Sequence, residues 1–183
     1  MEKKIYFLPG HGGRIANGLG QAIRDRGYSV AGRETVGDFK KIDFSDQVGT
    51  IASDIASNFS DVDARIVANS YGAYLLLHAL AEMKPFAGKV MLLSPIVGEF
   101  SNEEIRMGFI PPYSKRLLDI ATAGNFPPLE QCEIHVGSED WQSNPENVKQ
   151  FATLLGLNVN EVKDAGHSLP KDYVSAQLDR WLG

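Results

Sequence analysis

Three features of this sequence predict an α/β protein, a three-layer sandwich with a mostly parallel sheet of about six strands and helices on both faces. Short apolar runs alternate with helical stretches along all 183 residues. Parallel strands need such crossover connections, because no tight turn can return the chain to the same end of the sheet. The stretch Tyr74-Leu75-Leu76-Leu77 belongs to a helix that is apolar almost all round, so it is expected between other layers and not on the surface. One apolar strand, Ala64 to Ala68, runs through Asn69 into Ser70 and at once into that helix.

Composition narrows the class. The apolar share of 43% and charged share of 22% are those of an ordinary globular protein, and the length fits one domain, 1–183, with a proper core. The net charge of −5, with no cluster of Lys and Arg, argues against a nucleic-acid surface. No apolar run is long enough to span a bilayer and the N-terminus has no secretory h-region, so no membrane partner is expected. Cys132, the single cysteine, cannot form an internal disulfide. Its strand-like setting reads as a small buried hydrophobe, and a reducing, cytoplasmic location is expected.

In chain order, Lys4 to Leu8 reads as a buried strand stopped by Pro9-Gly10, and Ile15 to Arg26 as a helix with Gly27 just beyond. Tyr28 to Ala31 is a second strand, and the polar stretch 38–46 a loop. Val48, Ile51, Ala52, Ile55 and Phe59 recur on one face of a helix. The third strand and the helix after Ser70 follow, then Lys89 to Leu93 as the fourth strand. The region 97–129 is irregular, with a helix from Ser114 to Ala123. Strands at Glu133 to Val136 and Val159 to Val162 flank a helix from Pro145 to Leu155, and a helix from Asp172 to Leu182 closes the chain.

Ligands of open α/β sheets gather at the carboxyl ends of the strands, which directs attention to the residues after each one. The first strand is followed by Pro9-Gly10-His11-Gly12-Gly13, the third by Ser70, the fifth by Gly137-Ser138-Glu139-Asp140, and the sixth by Ala165-Gly166-His167. A serine, an acid and a histidine thus fall at the same end of three strands, in the order Ser, Asp, His. A serine hydroxyl needs a base to take its proton as it attacks, and a histidine needs an acid to fix its tautomer. Ala68 and Gly72 suit this reading, because a serine held at positive φ in a sharp strand-to-helix turn leaves room only for small residues two positions either side. The N–H of Tyr71, at the helix N-terminus, is placed to hold an oxyanion, and a second N–H must come from the first loop.

These residues resemble the α/β-hydrolase superfamily over nearly the whole chain. Phe7-Leu8-Pro9-Gly10-His11-Gly12 is similar to the Leu-Leu-His-Gly-x-Gly segment of small esterases, with Pro9 in place of the usual His. In that register the second oxyanion donor is His11, and sliding the family's His-Gly onto His11-Gly12 gives the role to Gly13. Ala-x-Ser-x-Gly stands for the family's Gly-x-Ser-x-Gly, Gly137 to Asp140 for its Gly-x-x-Asp turn, and Gly166-His167 for its Gly-His. The resemblance implies a minimal serine hydrolase lacking the family's first two strands, with Ser70, Asp140 and His167 as triad and a small-molecule acyl substrate. It implies no cofactor. Region 97–129 sits where the family inserts its cap, and Phe109, Ile110 and Tyr113 within it are candidates to wall an acyl pocket.

Other readings exist for the same residues. Ser70 can simply cap its helix, and Glu139 or Glu99 can replace Asp140 as the acid. His78 and His135 read as structural, and no His, Cys or Asp cluster has metal-ligand spacing. A strand followed by Gly10-His11-Gly12 partly matches the dinucleotide fingerprint, with Arg33-Glu34 near a ribose position, but Ile15 occupies the third glycine. A hydrolase-like protein that binds without catalysis is the remaining alternative. Oligomeric state is not legible.

Overall fold

The computed structural model describes residues 3–183. Along the chain lie β1 (Lys4–Leu8), α1 (Gly18–Arg24), β2 (Ser29–Gly32), α2 (Gly37–Lys41), α3 (Phe44–Asn58), β3 (Arg65–Asn69), α4 (Tyr71–Ala81) and β4 (Lys89–Leu93). There follow β5 (Phe100–Asn102), β6 (Met107–Phe109), α5 (Arg116–Thr122), β7 (Cys132–Gly137), α6 (Pro145–Leu154), β8 (Val159–Val162) and α7 (Lys171–Leu182). Six strands form one sheet in the order β2-β1-β3-β4-β7-β8, every neighbouring pair parallel.

The two-residue period of each strand sorts its side chains between two cores. Ile5, Phe7, Val67, Met91 and Leu93 face Ile23 of α1 and Leu178, Trp181 and Leu182 of α7. Tyr6, Leu8, Ile66, Ala68, Val90 and Leu92 face the other layer, where α3 contributes Val48, Ile51 and Ile55 and α6 contributes Val148 and Phe151. Helix α4 sits in the middle of that layer, with Leu75, Leu76, Leu77 and Leu80 at most 1% exposed. Full burial of each such side chain contributes roughly 2 kcal/mol, so the helix that carries Ser70 at its start is anchored along its length.

Strand β1 connects through α1 to β2 on one side, while β3 pairs on the other. The carboxyl ends of β1 and β3 therefore flank a topological switch point, the crevice where open α/β sheets bind ligands. Gly10 and Ser70 meet there, close enough that a Cβ on Gly10 would stand 3.2 Å from that of Ser70.

Three segments differ from the sequence reading. Helix α1 starts at Gly18, not Ile15, because the Ile15 N–H donates to Glu34 Oε1 at 3.0 Å and Asn17 is extended. Gly20 then permits the fold-back, since a Cβ there would lie 2.1 Å from the Ile15 carbonyl oxygen. The stretch 38–46 is not a loop: α2 occupies most of its first half and α3 begins at Phe44. Its polar residues form the outer face of short helices, and the Gln47 side chain ties the two together by donating to the Phe39 carbonyl at 2.9 Å. Region 97–129 contains an antiparallel hairpin, β5 with β6, besides α5. Its three-residue strands are too short for alternation to register, and its turn is held by Asn102 Oδ1 accepting from the Glu104 and Ile105 N–H groups. Among the described residues, no helix is long and apolar enough to cross a membrane.

Candidate active site

Ser70 has φ 52° and ψ −119°, a strained backbone outside the regions that residues with a Cβ prefer. The strain is held from both sides. Its N–H donates to the Leu93 carbonyl at the end of β4, at 3.0 Å, and its own carbonyl accepts from Ala73 and Ile96 at 3.1 and 3.3 Å. Gly72 is required by contact, because a Cβ there would lie 2.3 Å from the Leu8 carbonyl oxygen and 2.4 Å from that of Pro9.

The turn brings Ser70 Oγ to 2.7 Å from His167 Nε2. On the far side of the ring, His167 Nδ1 lies 2.9 Å from Asp140 Oδ2 and 3.0 Å from Oδ1. A carboxylate accepts, so the geometry suits a proton on Nδ1 donated to Asp140, with Nε2 facing the serine hydroxyl. Asp140 is 1% exposed and is held by the N–H groups of Gln142 and Ser143, which donate to Oδ1 at 3.0 and 2.9 Å. Glu139 and Glu99 are exposed and do not bond His167.

Of the two loop candidates for the second oxyanion donor, Gly13 is already engaged. Its N–H donates to the Gly10 carbonyl at 2.8 Å and to Thr35 Oγ1 at 3.0 Å. The N–H groups of His11 and Tyr71 have no acceptor among the described residues. The rings of these two residues meet edge to face, 5.7 Å between centroids, across the mouth of the site.

The expected pocket residues fall elsewhere. A cavity of about 750 Å³ opens beside Ser70 and His167, and its walls come from α1, α7 and the ends of β3 and β4. Phe109 and Ile110 instead border a separate groove with Trp141 and Phe100, and Tyr113 stands over Phe44 at the far side of α4. All three are exposed, Ile110 at 74%. The hairpin that carries Phe109 sets its ring against that of Tyr71, 6.1 Å between centroids, and leaves it out of the cavity lining beside Ser70.

Sequence reasoning missed Thr35, Ser94, Trp141 and Ser143. Ser143 Oγ donates to the Ser94 carbonyl at 2.7 Å and lies 3.4 Å from His167 Nδ1. Only the Asp-x-x-Ser spacing of an Asx-type turn hints at it, since the Asp140 carboxylate accepts from the Ser143 N–H. His78 and His135 bond none of the three site residues. His78 Nδ1 accepts from Arg116 at 2.9 Å, and burial, with the Arg116 charge behind it, lowers its pKa to about 3. His135 pairs with the Tyr173 hydroxyl at 2.8 Å and is likewise lowered by burial. Burial pushes the Cys132 thiol up to about 12, so it stays protonated. Among the described residues no three His, Cys, Asp or Glu side chains gather as metal ligands.

The dinucleotide reading meets a direct obstacle. Glu34 is engaged by Arg14 and the Ile15 N–H, and Arg33 forks onto Asp54 at 2.6 and 2.7 Å, so neither side chain is free to hold a ribose.

A parallel sheet in this order, with a serine elbow after β3, an acid after β7 and a histidine after β8, defines an α/β-hydrolase fold. Solved structures share it. Carboxylesterase CesB (YbfK) from Bacillus subtilis is 13% identical, with a TM-score of 0.67 over 99% of this chain and 84% of that one. A protein from Xanthomonas campestris assigned as a hydrolase of the α/β superfamily is 13% identical, with a TM-score of 0.65 over 99% and 98%. SOBER1 of Arabidopsis thaliana is 17% identical, with a TM-score of 0.62 over the whole of both chains. No family model matches the chain, and no curated protein matches it in sequence.

Proposed function

We propose that this protein is a serine hydrolase that cleaves a small carboxylic ester or thioester through an acyl-enzyme. The observation that carries the reading is the continuous line from Ser70 Oγ through the His167 ring to the buried Asp140 carboxylate, with bonds of 2.7 and 2.9 Å. Ser70 Oγ attacks the acyl carbon while His167 Nε2 takes its proton. The negative charge that develops on the carbonyl oxygen is met by the N–H groups of His11 and Tyr71. His167 returns the proton to the leaving group as the acyl–oxygen or acyl–sulfur bond breaks, then deprotonates the water that releases the acid. Asp140 keeps the proton on Nδ1 and stabilises the imidazolium that forms twice per cycle. The carboxylesterase among the similar structures supports ester chemistry by its name, and the residues require no cofactor. A cytoplasmic location and a small-molecule acyl partner complete the proposal.

The test is labelling with a fluorophosphonate, which reacts with base-activated serines whatever their substrate, followed by mass spectrometry of the peptides. An adduct on Ser70, lost in Ser70→Ala and His167→Ala, is the expected result. A folded wild-type protein that takes no label would overturn the reading and leave a binding protein with this fold.

A further inference from the structure

The cavity of about 750 Å³ beside Ser70 carries an apolar strip among polar residues such as Gln142 and Ser175. Leu19 and Ala22 of α1 face Val174 and Leu178 of α7 across it, with Leu93 and Leu169 closing the side near Ser70. Leu19, Ala22, Leu169 and Val174 pack against the core yet remain half-buried. Apolar side chains left in that condition along a cleft have unused surface that a ligand can cover. The first turn of α1 borders the space. A helix running from Ile15 would extend α1 by three residues at its N-terminal end, where Gly18 and Leu19 now line the space.

Resting on the hydrolase reading above, we infer that this slot is the acyl site and that the preferred substrates are esters or thioesters of unbranched aliphatic acids of about eight carbons. The length follows from α7. The residues of α7 that line the slot are Lys171, Val174, Ser175 and Leu178, one face of the helix. They span eight residues, seven steps of the helical rise or about 10 Å. An extended chain advances about 1.2 Å per bond, a third of the 3.6 Å repeat of three-bond residues. Lys171 is exposed and follows His167 by four residues, so the catalytic end of the slot is its outer end, and the fully buried Leu178 closes the inner one. The acyl part belongs in this slot, and the leaving group on the other side, because the acyl group stays bonded to Ser70 through both steps. The leaving group must depart before water enters, and it is assigned to the side where the Tyr71 ring meets the exposed Phe109.

The experiment measures kcat/KM on p-nitrophenyl acetate, butyrate, octanoate and laurate for the wild-type protein and for Ala22→Phe and Val174→Phe, which add bulk from opposite walls. The octanoate-to-acetate ratio is expected to exceed about tenfold in the wild type, since each added buried methylene strengthens binding. It should fall at least about tenfold in both variants. A ratio taken within one preparation does not depend on how much of it is folded. A second series of acetate esters with lengthening alcohols is expected to show no such dependence. A ratio that is flat in the wild type, or unchanged in both variants, overturns the acyl slot even while Ser70 takes the fluorophosphonate. A chain-length dependence confined to the alcohol series overturns the assignment of the slot to the acyl group. Absence of both label and turnover overturns the hydrolase reading and this inference with it.

Discussion

Thr35 closes the turn that ends at Gly13. Its hydroxyl accepts from the Gly13 N–H at 3.0 Å and donates in turn to the Gly10 carbonyl, so both ends of the Gly10–Gly13 turn are tied to the loop that follows β2. Thr35 is 3% exposed, and a backbone bond from its own N–H to the Gly13 carbonyl at 3.2 Å completes the clamp. The clamp consumes the Gly13 donor and leaves the one on His11. Thr35→Val keeps the shape but removes the hydroxyl, which frees the turn to drift from the position proposed for the His11 oxyanion donor. A fall of about tenfold in kcat is expected, with KM changed by less than about twofold, because the interaction is made to the transition state and not to the bound ester. Thr35→Ser should retain most of the activity. A loss of the same size in both variants would make Thr35 a packing residue only.

In the proposed triad Asp140 is the acid, because it is the carboxylate that bonds His167 Nδ1, so Asp140→Asn is expected to lower kcat by about 10³ to 10⁴-fold through the wrong tautomer of His167. Asn keeps the size and can still accept from the Gln142 and Ser143 N–H groups, so circular dichroism and melting should change little. Glu139→Gln and Glu99→Gln, both at exposed positions, should leave kcat within about twofold, as surface changes do. Steady-state kinetics on the same ester decides the matter, and a severe loss in either glutamine variant would move the acid.

The elbow makes a stability prediction independent of any substrate. Gly72→Ala would drive a methyl group into the Leu8 and Pro9 carbonyl oxygens, within 2.3 and 2.4 Å. Backbone cannot yield there without moving β1, so unfolding free energy is expected to drop by about 3 kcal/mol, the upper range for overpacking. In urea this lowers the midpoint by about 1.5 M for an ordinary slope. An unchanged midpoint would show that the turn is looser than its geometry.

The parts of this protein legible in its sequence are those where one physical demand acts alone. Buried parallel strands need unbroken apolar runs, and β1, β3 and β4 carry them, while β2, β7 and β8 are legible from shorter β-branched stretches between helices. The Ser70 turn needs small neighbours, and Ala68 and Gly72 announce it. What stayed hidden depends on long-range partners. Nothing local shows that Glu34 accepts from the Ile15 N–H, which goes with the start of α1 at Gly18, a residue that lines the cavity at Ser70. The aromatic residues Phe109 and Tyr113 looked like pocket walls because aromatic clusters often are. The direction in which the short β5–β6 hairpin projects them is set by tertiary packing, which periodicity does not carry. Thr35 and Ser143 are single hydroxyls with no pattern around them at all.

His78 gives the molecule a pH dependence that does not involve catalysis. The ring is fully buried against Phe44 and Tyr74, and Nε2 has no partner. Burial, and then the Arg116 charge, lower its pKa from 6.5 to about 3. The unfolded chain therefore takes up a proton at a pH where the folded one refuses it. This neutral histidine costs no stability above about pH 6.5. As the pH falls from there towards about 3 the unfolded state is increasingly favoured, by about 2 kcal/mol at pH 5. His135, lowered by burial as well, adds a loss of the same sign as the pH falls below its ordinary value. His78→Gln keeps an acceptor for Arg116 and removes the titration. Urea unfolding at pH 7 and pH 5 should then show a smaller loss in the variant than in the wild type, by about 2 kcal/mol. Equal losses in the two proteins would mean that the folded state opens around His78 and lets the ring protonate in place.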